Sequence, residues 1–473
     1  MRAGYSPAAP LASENAPIST AAVTRTGPRR PDLPDAIVVV GAVAAFATLL
    51  WLGRGLTFFA DEWAVMAERS ITLDSFLEPF NEHWLGVTTV IYRLMLGAFG
   101  LSTYMPYLAL LAFLHVVVVA EVYVLARRAA GPWVGAVIAL VVAFFGSGFE
   151  NLFWAMQIGF VGAAALGLAA MILLDDMPGP GRVVGATALL TIGMMTSGFG
   201  IFMFVLVALD LLFDRDRRRL ILALAVPAGV YLAWYVAFGR TGVATTRDPF
   251  TIDAVLSVPY FTLDGVGTAF GSAIGVGPLL GRVAALVLAA WIAVRLLRRE
   301  LVSGRAVAFF GAIVFEYALL GLLRAQLFDT AAEYTRYAYL SGIFALLGLA
   351  NLVGPVKLPE PGPRRLATVV GFVAVATLAL VWNVWLLRSG RDLFAERAAQ
   401  TRATVVVATS DLGPGVDPDT TKLLDRTVTR LREVLAEFGS PLTDSLAGDA
   451  VQPVDPARVD AIRTSLAGET ASP

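Results

Sequence analysis

Residues 36–62 read AIVVVGAVAAFATLLWLGRGLTFFADE, an apolar block that ends on two adjacent carboxylates. The block at 36–59 is longer than the apolar core of a signal peptide and lacks a clear small-residue cleavage site, so we interpret it as an uncleaved membrane span. A helix needs roughly 20 apolar residues to cross a hydrocarbon core about 30 Å thick. Asp61 and Glu62 are therefore predicted to lie at the membrane surface, directly beyond the first crossing.

The rest of the chain has the same apolar character. Of its 473 residues, 57% are hydrophobic and 15% are charged, and the mean hydropathy is +0.71. A soluble domain carries about 25% charged residues. The apolar residues fall in blocks of roughly 15 to 22, close to the length of a membrane-crossing helix. The predicted fold class is an all-α polytopic membrane protein.

The composition also excludes other classes. There is no cysteine, which rules out disulfides and thiolate metal sites. The formal net charge is −1, and no run of Lys and Arg resembles a nucleic-acid-binding patch, so we predict no nucleic-acid partner. Lysine occurs only at positions 357 and 422, and arginine supplies the other basic side chains of the Lys and Arg class. Such a preference for arginine is typical of a GC-rich bacterial genome. We therefore expect a bacterial inner-membrane protein.

The arginines predict the orientation, because cytoplasmic loops retain Lys and Arg while short outer loops lack them. Neighbouring cytoplasmic loops must be separated by an even number of spans. Of the apolar blocks, 84–99 is then predicted to be a juxtamembrane helix on the outer face, and 254–275 a re-entrant or surface segment. The loops predicted to be cytoplasmic are Arg127-Arg128, 215–219, 295–299 and 357–365.

About eleven spans remain when neighbouring cytoplasmic loops are required to be separated by an even number of spans. An odd number places the N-terminus in the cytoplasm and the C-terminus outside. The predicted spans are 36–59, 105–126, 132–147, 158–174, 183–196, 199–213, 220–238, 280–297, 305–323, 336–353 and 366–387.

Three regions follow from these assignments. Residues 1–34 are rich in Ala, Pro and Ser and are predicted to be a disordered cytoplasmic tail. Residues 35–389 form the multi-spanning region. Residues 390–473 are polar and are predicted to be a small cap or flexible tail outside the membrane, with an amphipathic helix at about 418–439, where Leu424 begins a helical repeat of apolar residues.

The loop at 60–83 carries the clearest chemical signal. Six carboxylates face a single arginine in it. A carboxylate held at the membrane surface can accept a proton from a hydroxyl group or hold a divalent cation, so Asp61 and Glu62 are candidate catalytic residues. Glu82 and His83 begin the juxtamembrane helix and are candidates for orienting an acceptor or a metal ion. The alternative is an ordinary acidic surface loop.

Other polar residues lie near the same predicted surface or at membrane depth. Glu150, Asn151 and Gln157 follow a predicted span and could line an acceptor groove. His115 and Glu121 lie within a predicted span, where charge is costly. We expect Glu121 to pair with Arg127-Arg128 at the inner edge and to be structural.

Four features together resemble the GT-C superfamily: a carboxylate pair directly after the first span, an outer loop closed by a juxtamembrane helix, about eleven spans and an outward-facing site. The GT-C superfamily comprises multi-spanning glycosyltransferases that use polyprenyl-phosphate sugars, such as protein O-mannosyltransferases and aminoarabinose transferases. The resemblance covers roughly residues 36–350. It implies that Asp61 is the catalytic base or a metal contact, with Glu62 beside it. The second family motif, a His or Lys followed by two prolines, corresponds to Glu82-His83-Trp84-Leu85, in which the prolines are absent.

A lipid-linked donor also fits the location of the site, because nucleotide sugars are cytoplasmic and no phosphate-binding loop is found on the inner side. A departing polyprenyl phosphate needs cations. The candidates are Arg93, Arg324 and Arg336, the last followed by Tyr337 in an Arg-Tyr pair that GT-C proteins often carry near this place. The alternative for each arginine is interfacial snorkelling.

We therefore expect a membrane glycosyltransferase that moves a sugar from a polyprenyl-phosphate donor to an extracytoplasmic acceptor in the cell envelope. No cofactor is certain, and a divalent cation is the one candidate. The competing functions are a multi-spanning transporter or flippase and a non-catalytic envelope-assembly protein. Apart from His115 and Glu121, the predicted spans are nearly free of ionisable residues at their centres, and inverted repeats are not evident in the sequence. Both features favour the enzyme over the transporter.

Overall fold

The computed structural model describes residues 31–81, 83–242, 251–299, 302–324, 335–356, 362–444, 446 and 450–470. Within them the protein is almost entirely helical. Its α-helices are α1 (Leu33–Leu52), α2 (Asp61–Glu68), α3 (Leu73–Leu77), α4 (Gly86–Phe99), α5 (Met105–Ala130), α6 (Pro132–Ala143), α7 (Glu150–Phe153), α8 (Ile158–Leu174), α9 (Pro180–Thr196), α10 (Phe199–Phe213), α11 (Ala225–Ala237), α12 (Ile252–Ile274), α13 (Pro278–Leu297), α14 (Gly304–Arg324), α15 (Thr335–Val353), α16 (Pro363–Thr409), α17 (Val428–Phe438) and α18 (Pro456–Thr470). Two small antiparallel hairpins pair β1 (Lys422–Leu423) with β2 (Arg426–Thr427) and β3 (Thr443–Asp444) with β4 (Ala450–Val451).

In the described residues, eight helical segments are long and apolar enough to cross a membrane. The chain is a predominantly helical, multi-pass membrane protein. The predicted blocks at 132–147, 183–196 and 199–213 correspond to shorter helices of 12, 17 and 15 residues. The count of eleven spans therefore stays a prediction. The eight segments are Leu33–Leu52, Met105–Ala130, Ala155–Leu174, Arg218–Ala237, Pro278–Leu297, Gly304–Leu323, Thr335–Val353 and Pro363–Thr409.

The helix α5 defines two ends of the bundle. Tyr104, directly before α5, donates a hydrogen bond to Glu62, whereas Arg128 near its other end pairs with Asp175 at 2.5 Å. A helix of 26 residues is about 39 Å long. We refer to the end that carries residues 60–83 as the acidic-loop end and to the other as the Asp175 end.

Buried ion pairs hold the helices together at the Asp175 end. Asp175 and Asp210 are 5% and 2% exposed, and Arg305 bridges them at 2.5 and 2.8 Å. Arg217 adds a contact to Asp210 at 3.2 Å. Removing one partner of a buried pair typically costs about 3–5 kcal/mol, because it leaves an uncompensated charge. These contacts fix α8, α10 and α14 against one another.

The start of α1 differs slightly from the prediction. The Asp32 side chain accepts a hydrogen bond from the Asp35 amide, and the Asp35 side chain accepts one from the Asp32 amide. This capping box begins the helix at Leu33, inside the region predicted to be a disordered tail. Residues 1–30 of that predicted tail lie outside the described part of the chain. Arg127 binds both Asp32, at 2.9 Å, and Asp35.

The expected pairing of Glu121 was wrong. Arg127 binds the start of α1, and Arg128 binds Asp175. Glu121 Oε2 is buried and accepts no hydrogen bond from the described residues. Both arginines are engaged by carboxylates that lie far away in sequence, which the local spacing could not reveal.

Helices α12 and α13 pack through small residues. A Cβ atom on Gly281 would lie 1.9 Å from the Gly267 carbonyl oxygen, so only glycine allows this close approach of the two backbones. α12 contains Pro259 and is absent from the candidate spans, while α13 is among them. That residues 254–275 do not cross the membrane stays a prediction.

The C-terminal region is more ordered than a tail. α16 is 47 residues long and continues through the predicted boundary at 389 to Thr409. The predicted amphipathic helix begins at Val428 rather than near 418, because the chain first forms the hairpin β1–β2. Leu424 and Asp425 occupy its turn with φ of 53° and 59°, a backbone conformation that cannot continue a helix.

Candidate functional site

The site is built on the first residues of α2, which begins at Asp61. Glu62 is fully buried. Its carboxylate accepts hydrogen bonds from the Phe59 amide and the Tyr92 hydroxyl, both at 2.6 Å, and from the Tyr104 hydroxyl at 3.0 Å. These contacts fix the start of α2 to α4 and α5. Asp61 next to it is only partly buried, so the two adjacent carboxylates have different surroundings.

Burial raises the pKa of Glu62 to about 8, because its charged form is removed from water. The hydrogen bonds from Tyr92, Phe59 and Tyr104 lower this pKa, and the neighbouring charge of Asp61 raises it further. The geometry makes Glu62 a fixed support for Asp61. A direct catalytic or metal-binding role for Glu62 stays a prediction.

Tyr104 and Trp154 connect this loop to residues 150–157. The Tyr104 hydroxyl accepts a hydrogen bond from the Ala155 amide at 2.8 Å while donating to Glu62. The Trp154 indole nitrogen donates to the Phe59 carbonyl at 3.2 Å. The loop and the segment after α6 therefore form one hydrogen-bonded unit.

Arg336 lies on the other side of Trp154. Its guanidinium carbon is 5.3 Å from the centre of the Trp154 ring, and its Nε lies 3.2 Å from Glu150 Oε2. The Glu150 side chain is 8% exposed and that of Arg336 is 27% exposed. The structure thus brings together a predicted phosphate-binding cation and a predicted groove residue. Tyr337, the next residue, is 9% exposed, and its ring lies 6.5 Å from that of Phe199.

The other predicted groove residues are enclosed. Asn151 and Gln157 are 0% and 1% exposed, and the Asn151 amide donates to Gln157 Oε1 at 3.2 Å. Asn151 Oδ1 has no hydrogen-bond partner among the described residues. These two side chains support the segment from inside rather than lining an open surface. Their contact with an acceptor stays a prediction.

His83 closes a tight turn at the acidic-loop end, and α4 begins only at Gly86, so the prediction that His83 begins the juxtamembrane helix was wrong. Its backbone pairs with Phe80 through two hydrogen bonds, of 2.9 and 3.0 Å. A Cβ atom on Gly198 would lie 2.7 Å from His83 Nδ1, so the imidazole packs directly on the turn between α9 and α10. Glu82 lies outside the described residues. The role of both residues in orienting an acceptor is untested.

The remaining predicted cations differ from Arg336. Arg93 lies 3.7 Å from Glu437, and its guanidinium carbon is 4.9 Å from the centre of the Phe438 ring, so it contacts the C-terminal helix α17. The side chain of Arg324, the last residue of α14, lies outside the described part of the structure. Arg93 also donates to the Met66 carbonyl of α2 at 3.3 Å, so Arg93 and Arg336 both lie beside the acidic loop, and Arg336 is the one that packs on Trp154.

A cavity of about 280 Å³ borders the start of α15, although Arg336 itself is not among its lining residues. Thr335 and Ala338, on either side of it in sequence, line this cavity together with Trp382 and Trp385 of α16. Thr268 and Thr335 are among its lining residues, and their hydroxyl oxygens are buried without a hydrogen-bond partner in the described residues. The lining is mostly apolar, which suits a hydrocarbon chain better than a soluble ligand.

Sequence reasoning missed several residues of the bundle interior. Glu316 in α14 is fully buried, and neither carboxyl oxygen has a hydrogen-bond partner among the described residues. It lies inside the block predicted at 305–323, so a search of that block for charge could have found it. Tyr92 and Tyr104 gave no such signal, because tyrosine near a membrane surface is common.

Within the described residues, no three His, Asp or Glu side chains converge on a point where they could hold a metal ion. Glu82 is not part of that set. The described carboxylates of the candidate site are Asp61, Glu62 and Glu150; Glu62 is engaged by Tyr92 and Tyr104, and Glu150 by Arg336.

The fold and this site define a multi-pass helical membrane protein. At its acidic-loop end, Trp154 contacts both the Phe59 carbonyl, two residues before Asp61, and the guanidinium group of Arg336. No protein-family model matches the chain, and no curated protein matches it. Its structure is similar to the crystal structure of the Archaeoglobus fulgidus oligosaccharyltransferase in complex with zinc and sulfate, with 16% sequence identity and a TM-score of 0.45. The match covers 79% of this chain and 56% of that one, so this chain spans little more than half of that protein's length. A structural similarity of this size does not identify the substrate of this chain.

Proposed function

We propose that the protein is a membrane glycosyltransferase that transfers a sugar from a polyprenyl-phosphate donor to an acceptor hydroxyl on the outer face of a bacterial inner membrane. One observation carries the proposal: Trp154 binds the Phe59 carbonyl, two residues before Asp61, and packs against Arg336. A partly exposed carboxylate and a cation are thereby held in one rigid unit. These are the two charges that the reaction requires.

The roles of the residues follow from the chemistry. Asp61 accepts the proton of the acceptor hydroxyl as its oxygen attacks the anomeric carbon of the sugar. The bond from that carbon to the phosphate oxygen breaks, and the polyprenyl phosphate leaves with the bonding electrons. Arg336 stabilises the negative charge that develops on this phosphate. Attack from the face opposite the leaving group inverts the anomeric centre.

The cavity beside Arg336 supports a lipid-linked donor. Thr335 and Ala338 place it directly next to the guanidinium-bearing residue, and Trp382 and Trp385 lie on α16, one of the candidate membrane spans. Tryptophan is enriched where a membrane protein meets the head-group region. A phosphate at Arg336 would then lie beside an apolar space for the first part of its chain.

The decisive experiment uses the full chain in lipid nanodiscs with polyprenyl-phosphate hexose and pentose donors. We expect release of polyprenyl phosphate, accelerated by an envelope acceptor fraction. Enlarging Ala338, which is 3% exposed, to Leu should narrow the cavity and raise KM for the lipid donor. No release with any donor and acceptor would contradict the proposal.

A transporter or flippase is the second candidate. The fully buried Glu316 favours it, because ionisable residues inside membrane proteins often mark a transport path. His115 adds to this: its imidazole is fully buried and lies 2.9 Å from the Tyr339 hydroxyl. In sealed liposomes a flippase would move the lipid-linked sugar between leaflets without cleaving it, and Glu316→Gln would abolish that movement. Cleavage that persists in Glu316→Gln supports the enzyme.

A further inference from the structure

The C-terminal half of α16 contacts the connection between α1 and α2. Arg391 Nε donates to the Leu52 carbonyl at 3.3 Å, and Arg402 Nη1 donates to the Gly55 carbonyl at 2.9 Å. The guanidinium carbon of Arg397 lies 4.6 Å from the centre of the Phe59 ring. All three arginines belong to the part of α16 beyond the predicted span. The connection that leads to Asp61 is therefore contacted at Leu52, Gly55 and Phe59.

Strand β2 and helix α17 contact the C-terminal end of α2. Arg430 donates both Nε, at 3.0 Å, and Nη2 to the Ala67 carbonyl. Arg426 forms an ion pair with Glu68 at 3.2 Å. Ala67 and Glu68 are the last residues of α2, where the carbonyls have no partner within the helix and where positive charge is favourable.

α17 is itself anchored to the membrane-associated part of the protein. The Phe438 carbonyl accepts a hydrogen bond from the Leu101 amide at 2.7 Å. A Cβ atom on Gly100, whose φ is +61°, would lie 2.5 Å from the same carbonyl. Leu101 and Gly100 lie between Tyr92 of α4 and Tyr104, directly before α5, the two tyrosines that bind Glu62. α17 and the start of α2 thus share one support.

We propose that Arg430 is a positioning residue that holds α2, and with it Asp61, in the orientation for transfer. The role of Asp61 rests on the proposed function. α2 has only eight residues, and helices this short are marginal without outside contacts. Glu62 fixes its first turn. Arg430 holds its last turn at Ala67, together with Arg426 at Glu68 and with Arg93, which donates to the Met66 carbonyl at 3.3 Å. Without Arg430 the last turn loses the cation that satisfies its carbonyl, and the direction of the helix is less restricted.

The chain offers a matched control on the same helix. Arg432 also donates through Nε and Nη2 to backbone carbonyls, those of Ala408 at 2.6 Å and Ser410 at 2.9 Å. Both acceptors belong to the C-terminal region itself. Arg432→Ala therefore removes a comparable set of hydrogen bonds without touching α2. It separates general loosening of the C-terminal region from a specific effect on Asp61.

The first test needs no substrate. The native chain has no cysteine, so Asp61→Cys in the full protein is a single site for labelling by a membrane-impermeant maleimide. Adding Arg430→Ala should raise the labelling rate several-fold. Adding Arg432→Ala should leave it unchanged, and Arg430→Lys should restore most of the protection. Equal rates for Arg430→Ala and Arg432→Ala would overturn the proposal.

The second test measures sugar transfer in chains that retain Asp61. Arg430→Ala should lower kcat by about 10- to 100-fold, because a small displacement of a reacting group is costly, and should leave KM for the lipid donor unchanged. Arg430→Lys should recover most of kcat. A larger effect on KM than on kcat would overturn the positioning role. Labelling that responds to Arg430 in a protein that transfers no sugar would refute the proposed function while supporting the link between α17 and α2.

Discussion

Arg336 Nε lies 3.2 Å from Glu150 Oε2, although the two residues are 186 positions apart in the chain. The sequence suggested separate roles for them, one toward the donor phosphate and one toward the acceptor. Their contact makes them a single unit at the start of α15. A phosphate that binds Arg336 must share the guanidinium with Glu150, so the ion pair orients the cation and also limits its free charge.

The first prediction concerns Arg336. Arg336→Ala should lower kcat/KM for the lipid donor by about 10²-fold, because charge on the leaving phosphate would be unmatched. Arg336→Lys should recover only part of this loss, since an ammonium group lacks the planar fork that can bind Glu150 and phosphate together. Donor titration in nanodiscs measures both effects. Full activity in Arg336→Ala would remove the phosphate-binding role.

The second prediction concerns Asp61. Asp61→Asn keeps the shape of the side chain and removes its basicity, so transfer should fall by about 10²- to 10⁴-fold with little change in folding. The control is Asp74→Asn, an exposed carboxylate on the same loop. Glu68 is less suitable because it pairs with Arg426. Similar losses in both variants would show that the overall charge of the loop matters, rather than Asp61.

Some of this site was accessible from the sequence. An apolar block that ends on a carboxylate pair located the loop, but α1 already ends at Leu52, and Asp61 begins the separate helix α2 rather than following directly on the first span. The sequence could not distinguish the two carboxylates, because the difference depends on Tyr92 and Tyr104 from other helices. The hydrophobic pattern reports which residues are apolar. It does not report which hydroxyl reaches which carboxylate.

The C-terminal region shows a second limit. A drop in hydropathy at 390 suggested a separate cap or tail, but α16 continues because no proline interrupts it before Thr409. The helical repeat of apolar residues from Leu424 included a hairpin turn, since Leu424 and Asp425 have left-handed backbones. Such local conformations override a periodic pattern. The anchoring of this region by Arg430 and Arg402 depends on contacts more than 300 positions apart in the chain.

The third prediction concerns pH. The pKa of Glu62 is raised from 4.5 to about 8 by burial, so the folded protein binds a proton there that the unfolded chain releases between these values. The stability from this group is complete below about pH 4.5 and is lost as pH rises through 8. Glu62→Gln should reduce the fall in unfolding temperature between pH 5 and pH 8.5, measured in nanodiscs. An identical fall in both proteins would show that Glu62 is not the group responsible.

The fourth prediction concerns the two ends of the bundle. Asp74 and Asp411 are exposed residues of the acidic loop and the C-terminal region, and Asp216 is exposed beside Arg217 at the Asp175 end. If the arginine-rich Asp175 end is cytoplasmic, Asp74→Cys and Asp411→Cys should react with an impermeant maleimide in intact cells. Asp216→Cys should react only after the cells are permeabilised.

The parent chain has no cysteine and provides the background for this experiment. Protection of Asp411→Cys together with labelling of Asp74→Cys would contradict the contacts between α17 and α2, which place both residues at the same end. Labelling of Asp216→Cys alone in intact cells would reverse the whole orientation. Asp61 would then face the cytoplasm, where nucleotide sugars are present, and the argument for a lipid-linked donor would lose its basis in location.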